Sequence, residues 1–216
     1  MPYTKQFATI FDGLRAAYGT YKIEHQKLNG KNTGKAGVIQ EPRNAELWEG
    51  HLSGKGISVG IVPINEKNNV KWGCVDIDQY NFDHKALLTR ISKLKLPLIV
   101  CRSKSGGAHV FIFTSDWVRA KEMQNVLRHI ASALGYGNSE IFPKQVKLNL
   151  ERGDVGNFLN LPYYDHENGL RYAFKEDGTA ATLKEFLEMH KASVQTPEQL
   201  TALTIEKSKF QPIEKG

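Results

Sequence analysis

Residues 70–78, VKWGCVDID, combine a strand pattern with two acidic side chains at its end. β-Branched and aromatic residues are enriched in strands, and this run is rich in them. Because side chains alternate between the faces of a strand, Asp76 and Asp78 project together, while Val75 and Ile77 enter the core on the opposite side. Two carboxylates this close repel each other unless a proton or cation bridges them, and Mg²⁺ or Mn²⁺ suits an all-oxygen site. The run predicts either a metal site or a polar strand end that begins a turn.

A paired glycine lies between two further strand-like runs, in residues 102–111, RSKSGGAHVF. Gly106 and Gly107 allow close approach of the backbone to a ligand, and their amides can hold phosphate oxygens. The polar side chains that accompany this turn are Arg102, Lys104, Ser105 and His109. A glycine hairpin needs no ligand, and a histidine at the start of a strand is often structural, so the stretch predicts either a phosphate-binding turn or a plain hairpin.

A third carboxylate lies in a short apolar strand-like run and is soon followed by a lysine, in residues 139–145, SEIFPKQ. Glu140 shares a strand face with Phe142. It is therefore either an exposed strand residue or a carboxylate that points into a site.

The remaining segments have an α+β pattern. Apolar spacing predicts helices over residues 3–18, 45–52, 83–94, 119–134 and 183–192. Strands are predicted over residues 57–64, 70–78, 97–103, 108–114, 140–142, 157–161 and 170–174. Asn68-Asn69 predicts a hairpin between the first two strands, and the turn at 105–107 predicts one between the third and fourth. Residues 27–37, KLNGKNTGKAG, are expected to form a mobile basic loop whose Lys31 and Lys35 could meet phosphates.

Composition favours a globular protein with a polyanionic partner. Among 216 residues, 29 Lys and Arg face 23 Asp and Glu, for a net charge of +6, although a solvated basic surface would have the same balance. Cys74 and Cys101 lie in apolar runs without nearby metal-ligand spacing, which predicts buried thiols in a reducing compartment and no zinc. No apolar stretch approaches a membrane span or a signal peptide, so a cytoplasmic protein is expected.

Taken together, the three motifs resemble the archaeo-eukaryotic primase superfamily. The resemblance spans about residues 47–162. The phrases that carry it are WEGHL (48–52), GIVPI (60–64), WGCVDID (72–78), FPKQ (142–145) and GNFLNLP (156–162). They are most similar to the primase-polymerases of phages, plasmids and CRISPR- or conflict-associated operons.

This resemblance implies a template-dependent nucleotidyltransferase, a DNA primase and DNA polymerase that uses two Mg²⁺ or Mn²⁺ ions. The implied catalytic metal ligands are Asp76, Asp78 and Glu140, with Asp165 as a competitor for the third position. Two departures are notable. Gly107 stands where the family motif has a serine two residues before His109, so either Ser105 or backbone amides take that role. The third acidic motif is commonly an aspartate, whereas the best placed residue here is a glutamate.

The other implied contacts divide between nucleotide and nucleic acid. The nucleotide-binding set is Arg102, Lys104, Ser105, Gly106, Gly107, His109 and Lys144, and the nucleic-acid-binding set is Lys31, Lys35, Gln145 and Asn157. The implied partners are a single-stranded DNA template with its primer, NTP or dNTP, and a helicase domain or replication protein.

The implied fold is an RRM-like catalytic antiparallel sheet flanked by helices, beside a smaller N-terminal α/β part. We expect a catalytic domain over residues 1–192, divided into an N-terminal part (1–56) and the catalytic sheet with its helices (57–192). Residues 193–216, with few large apolar residues, are expected to form a partly helical tail or a linker.

Two other functions compete with this interpretation. A catalytically silent module that binds single-stranded DNA or an origin could stack bases on Phe158, Tyr163 and Tyr164. The clustered carboxylates argue against it, because acids weaken phosphate binding unless metals neutralise them. A rolling-circle nuclease would need a His-x-His pair, which the sequence lacks.

Overall fold

Apolar periodicity and side-chain caps decide where the helices form. The computed structural model describes residues 2–26 and 32–207, with side chains placed at 2–21 and 35–203. Its α-helices are α1 (Thr4–Ile10), α2 (Ala45–Ser53), α3 (His84–Lys93), α4 (Ala120–Ala133), α5 (Leu183–Ser193) and α6 (Pro197–Lys207). The predicted N-cap of α3 is confirmed, since the Asp83 side chain accepts a hydrogen bond from the Ala86 N–H at 2.9 Å.

The strands form two four-stranded antiparallel sheets. They are β1 (Tyr18–Gln26), β2 (Asn32–Ile39), β3 (Ser58–Ile61), β4 (Asn69–Ile77), β5 (Ile99–Arg102), β6 (Ala108–Arg119), β7 (Glu140–Phe142) and β8 (Leu159–Asn160). The first sheet has the order β2-β1-β3-β8 and the second the order β5-β6-β4-β7. The predicted α+β class is therefore confirmed.

The second sheet carries the DxD strand and the glycine turn. Its chain order is β4-α3-β5-β6-α4-β7, so each helix connects two strands of the same sheet. The hairpin predicted at residues 105–107 is confirmed, because β5 and β6 are paired antiparallel and Arg102 is opposite Ala108 at the end next to the turn. This connectivity places β4 in the interior of the sheet, between β6 and β7.

The hairpin predicted at Asn68-Asn69 is wrong. A turn does form there, since the Asn65 side chain accepts hydrogen bonds from the N–H groups of Lys67 and Asn69, both at 2.9 Å. The strands on either side of it nevertheless join different sheets. Local turn chemistry was visible in the sequence, but the partners of β3 and β4 are set by distant segments.

Two predictions near the N-terminus are also corrected. The helix expected over residues 3–18 ends at Ile10, because the Leu14 N–H bonds to the Val62 carbonyl at 3.0 Å and the chain turns toward β1. The loop expected over residues 27–37 overlaps β2, where residues 32–37 pair with β1 and gain backbone hydrogen bonds on that side. Lys31 lies outside the described residues.

The second sheet has a core on each face. On one face Val75, Ile77 and Val110 pack with buried residues of α3 and α4. On the other, Trp72 and Phe111 join the aromatic cluster of α1 and α5. Asp76 follows Trp72 and Cys74 at alternate positions of β4, so it lies at the end of the aromatic face.

The C-terminal segments pack onto these layers. Residues 170–174, predicted as a strand, form single bridges only, at Ala173 and Phe174. They cover the edge of β5, where the Phe174 N–H bonds to the Val100 carbonyl at 2.9 Å. In α6, Leu200 is buried against the core. Over the described ranges 2–26 and 32–207, no helix is long and apolar enough to cross a membrane.

Candidate active site

The two aspartates emerge where β4 leaves the sheet. Val75 and Ile77 are fully buried, whereas the Asp76 side chain keeps 23% of its surface exposed and Asp78 is exposed just beyond the strand. The predicted alternation is thus confirmed. It places both carboxylates on one side of the strand end.

Asp76 has a polar neighbour on each adjacent strand. His109 of β6 and Glu140 of β7 are its register partners on either side. Because directly paired residues share a sheet face, the three side chains form a row across β6, β4 and β7. The nearly buried His109 imidazole brings Nε2 to 3.4 Å from Asp76 Oδ1, while Glu140 is exposed and its Oε2 lies 2.7 Å from Lys144 Nζ.

The glycine turn is joined to this row through Asp78. Ser105 Oγ donates a hydrogen bond to Asp78 Oδ1 at 2.9 Å, and Ser103 Oγ lies 3.1 Å from Ser105 Oγ. Gly106 has φ +93°, a conformation that favours glycine. A Cβ on Gly107 would lie 2.1 Å from the Ile77 carbonyl oxygen. The turn therefore packs directly on the end of β4, and only glycine fits at its last position.

His84 supports the turn from the start of α3. Its Nε2 donates to the Gly107 carbonyl at 2.9 Å, and its ring stacks on Phe174 with the centroids 4.4 Å apart. The Ser103 N–H donates to the same carbonyl at 3.0 Å. Sequence reasoning missed His84, since no local motif links it to a turn 23 residues away.

An open cleft of about 450 Å³ lies beside the aspartates. Asp76, Asp78, Gln79 and Glu140 line one part of it, and residues 135–139, GYGNS, line the rest. From the sequence, residues 135–139 were no more than the stretch between the helix predicted over residues 119–134 and the strand predicted over residues 140–142. The structure makes the α4–β7 connection a wall of the candidate active site.

The basic side chains of the predicted nucleotide set lie in different places. The Arg102 guanidinium lies beside the turn, with one terminal nitrogen 3.4 Å from where a Gly106 Cβ would be. Lys144 lies beside Glu140. Lys104 instead places Nζ 3.0 Å from the ring centroid of Tyr21 on β1, so in this structure it bridges the two sheets through a cation–π contact.

The predicted nucleic-acid contacts do not form one cluster. Gln145 and Asn157 hydrogen-bond to each other through their side chains, and the Asn157 N–H also donates to Gln145 Oε1 at 3.1 Å. Lys35 is exposed on β2 of the other sheet.

Asp165, the competitor for the third carboxylate, lies at a turn beside the end of α2. Its N–H donates to the His51 carbonyl at 3.0 Å, and its side chain accepts from Asn168. Glu140, by contrast, is paired in register with Asp76.

The carboxylate oxygens of the row are hard donors of the kind that Mg²⁺ and Mn²⁺ prefer. Within the part of the chain that the structure describes, however, no three His, Cys, Asp or Glu side chains are arranged to hold a metal ion together. The oxygen donors have the chemistry that suits a divalent cation, while each of the three carboxylates has a protein partner in this structure: His109 for Asp76, Ser105 for Asp78 and Lys144 for Glu140.

Comparison with known proteins agrees with this arrangement. The family model of the archaeo-eukaryotic primase domain of the TOTE conflict system matches residues 14–198. The chain belongs to this archaeo-eukaryotic primase family. The predicted membership in the superfamily and its conflict-associated branch is confirmed. No curated protein shows significant similarity to the chain.

Membership in this primase family places the domain among nucleotidyltransferase-type, primase-like enzymes that act on nucleotides and nucleic acid. Domains of the family generally depend on divalent metal ions. The match covers both sheets and helices α2 to α5 of the primase domain.

Proposed function

We propose that this primase domain joins nucleotides on a nucleic-acid template, as a DNA primase and DNA polymerase. The observation that carries the proposal is the row His109, Asp76 and Glu140 across three adjacent strands, with Asp78 joined to the glycine turn. The strand order β5-β6-β4-β7 with helices after β4 and β6 supports an RRM-like catalytic sheet.

Asp76, Asp78 and Glu140 are the residues that would hold Mg²⁺ or Mn²⁺. When bound, two such ions supply activation of the primer 3′-hydroxyl and stabilisation of charge on the leaving pyrophosphate. Ser105 orients the Asp78 carboxylate through its hydrogen bond, and Lys144 shields Glu140 until the site is loaded.

The glycine turn orients the nucleotide. His109 and Arg102 supply hydrogen-bond donors on either side of the turn. The amides of Ser103 and Gly106 bond to carbonyls within the turn and fix its backbone, and the other amides of the turn add donors for the phosphates. These groups do no covalent chemistry. Their contribution is to align the triphosphate with the primer end, which is how most of the rate enhancement in phosphoryl transfer arises.

The partners in this proposal are a single-stranded template, a primer and NTP or dNTP, with a helicase domain or replication protein acting beside them. A net charge of +6 favours binding of the negatively charged nucleic-acid backbone. Cys74 and Cys101 are buried free thiols, and burial raises the pKa of both. Free thiols persist in the reducing environment of the cytoplasm, and we propose that the protein is located there.

The silent-binding alternative has one observation in its favour, the ion pair of Glu140 with Lys144 at 2.7 Å, which engages the third carboxylate. The tyrosines proposed to stack on bases in this alternative are already engaged in the protein. Tyr163 is buried and donates to the Ala181 carbonyl at 2.9 Å, so it cannot stack on a base. Tyr164 bonds through its hydroxyl to the Gly54 and Gly56 carbonyls.

Primed and unprimed single-stranded templates, each with Mg²⁺ or Mn²⁺ and each nucleotide type, test the proposal. We expect extension by the parent, resolved on a gel, and a loss of at least about 100-fold in Asp76→Asn and Asp78→Asn, since even groups that merely support metal ligands cost up to that much. Asp177→Asn, an exposed aspartate in a turn, is the control and keeps activity. Normal extension by either site variant would rule out the assignment, and inactivity of the parent under all conditions would favour silent binding.

A further inference from the structure

A second cavity, of about 860 Å³, lies at the other end of β4 from Asp76. Its walls come from α1, the residues that follow α1, the start of α2, and the ends of β4 and β6. Its polar and aromatic lining includes Lys5, Asp12, Arg15, Arg43, Lys71 and Trp117. Lys71 precedes Asp76 by five residues on the same strand, a distance of about 17 Å at the usual rise of a strand.

An irregularity in the sheet forms the mouth of this cavity. Val70 pairs with Val118 and Trp72 with Phe113, so the single residue Lys71 lies opposite residues 114–117 of β6. The Thr114 hydroxyl donates to the Lys71 carbonyl at 3.0 Å, and the Ser115 N–H donates to Gln195 at 2.8 Å. The extra residues are thus held in place, and such bulges commonly redirect side chains at functional sites.

This bulge directs an aromatic ring and a cation to the cavity. Trp117 is partly exposed, whereas Trp48 and Trp72 are buried. Lys71 Nζ lies 5.4 Å from the centroid of the Trp117 ring. A flat π-surface beside a mobile ammonium group is the pair of features with which proteins hold an unpaired base and its phosphate.

Cations outnumber carboxylates in the cavity lining, which has Lys5, Arg15, Arg43 and Lys71 against Asp12 and Glu49, and one of its buried donors is unsatisfied. Asp12 binds both Arg43, at 2.8 Å, and Arg15, at 3.1 Å, so one carboxylate serves two guanidinium groups. The Arg43 side chain is only 7% exposed, and its Nε has no hydrogen-bond partner among the described residues. Buried donors are nearly always paired in native proteins, so either an ordered water or an acceptor from a bound ligand would complete this site.

We propose that this cavity binds a segment of single-stranded nucleic acid, with a base on Trp117 and phosphates near Lys71, Arg15 and Lys5. The cations come from α1, the segment after it and β4, a spread that suits successive phosphates better than one nucleotide. The inference rests on the proposed function in one respect, the identification of the bound strand as the template. That template would be held a few nucleotides away from Asp76 and Asp78. Binding itself requires no catalysis.

Tryptophan fluorescence gives a direct test, because Trp117 is the one of the three tryptophans that is not buried. Oligothymidylate or oligouridylate of about 16 nucleotides should quench it, and either oligomer suffices to support the proposal. Trp117→Phe should lose the quench and keep most of the affinity measured by anisotropy. Trp117→Ala should weaken binding about 5- to 100-fold, through loss of base stacking.

The lysine is tested by salt dependence. Lys71→Ala should reduce the slope of log affinity against log salt by about 0.7, the value for one phosphate contact to a single strand. Lys184→Ala, an exposed lysine of α5, is the matched control and should leave the slope unchanged.

All these measurements are repeated in the Asp76→Asn background, where binding should persist. A quench that persists while the parent fails to extend any primer would refute the proposed function alone. Parent-like affinity in Trp117→Ala, no quench with either oligomer, or an equal quench with dTTP alone would overturn this inference and leave the proposed function standing.

Discussion

Gly107→Ala isolates the contact between the glycine turn and the aspartate strand. An added Cβ would lie 2.1 Å from the Ile77 carbonyl oxygen and 3.2 Å from the Gln79 nitrogen, and both neighbours are backbone atoms. Neither can rotate away, so the turn must retreat from β4 by about 1 Å to reach a tolerable contact.

The retreat would separate groups that the proposed reaction needs together. Ile77 lies between Asp76 and Asp78, and Ser105 of the turn bonds to Asp78 at 2.9 Å. A misplacement of about 1 Å in a catalytic constellation can cost 100-fold in rate. We therefore expect kcat/KM for nucleotide incorporation to fall about 100-fold, or about 2.7 kcal/mol of transition-state stabilisation.

Steady-state extension of a primed template measures this loss, with thermal melting by circular dichroism to verify the fold. Gly37→Ala is the control, because the nearest atom to its added Cβ, the Thr20 hydroxyl oxygen, is 3.6 Å away. A folded Gly107→Ala protein that extends primers within about threefold of the parent would refute the role given to the turn.

Two further predictions concern histidines. His109→Ala should weaken binding of a labelled nucleotide analogue about 10- to 100-fold, the cost of one hydrogen bond to a charged group, and leave template affinity nearly unchanged; an unchanged dissociation constant would make His109 structural. Burial, aided by the nearby charge of Arg171, lowers the pKa of His51 to about 3, while the hydrogen bond from its Nε2 to the Pro162 carbonyl partly opposes this shift. Its Nδ1 accepts a hydrogen bond from the Val59 N–H in the core. In the unfolded chain the His51 imidazole has its ordinary pKa of 6.5, so between pH 6.5 and about 3 it binds a proton that it does not bind in the folded protein. Stability from this group is complete above pH 6.5 and falls by about 1.4 kcal/mol per pH unit down toward pH 3. Urea unfolding at several pH values should show this slope in the parent and a shallower one in His51→Asn, and equal slopes would contradict it.

The local parts of the site were predictable because their signals are local. The alternation of Asp76 and Asp78 with Val75 and Ile77 follows from strand geometry alone. The β5–β6 hairpin follows from the paired glycines, and α3 from its apolar spacing and its cap at Asp83. Each of these features depends on residues a few positions apart, and each is as expected in the structure.

Errors arose where two outcomes satisfy the same local pattern. The turn at residues 65–69 forms, yet β3 and β4 go to different sheets. Residues 32–37, NTGKAG, have the polar, glycine-rich composition of a loop, yet pairing with β1 makes them a strand. The contact of Lys104 with Tyr21 of the other sheet was likewise not visible in the sequence, because it depends on how the two sheets pack.

The sequence by itself determined the family, the two aspartates and the polar residues of the turn, because these are properties of residue types at short spacing. Only the tertiary structure decided that Glu140 and not Asp165 lies beside Asp76, that His84 supports Gly107, and that Lys71 and Trp117 share a second cavity. These relations join residues 23 to 64 positions apart, between Gly107 and His84 and between Glu140 and Asp76. They depend on strand order and register, which are selected by burial of both faces of the sheet at once rather than by any short stretch of chain.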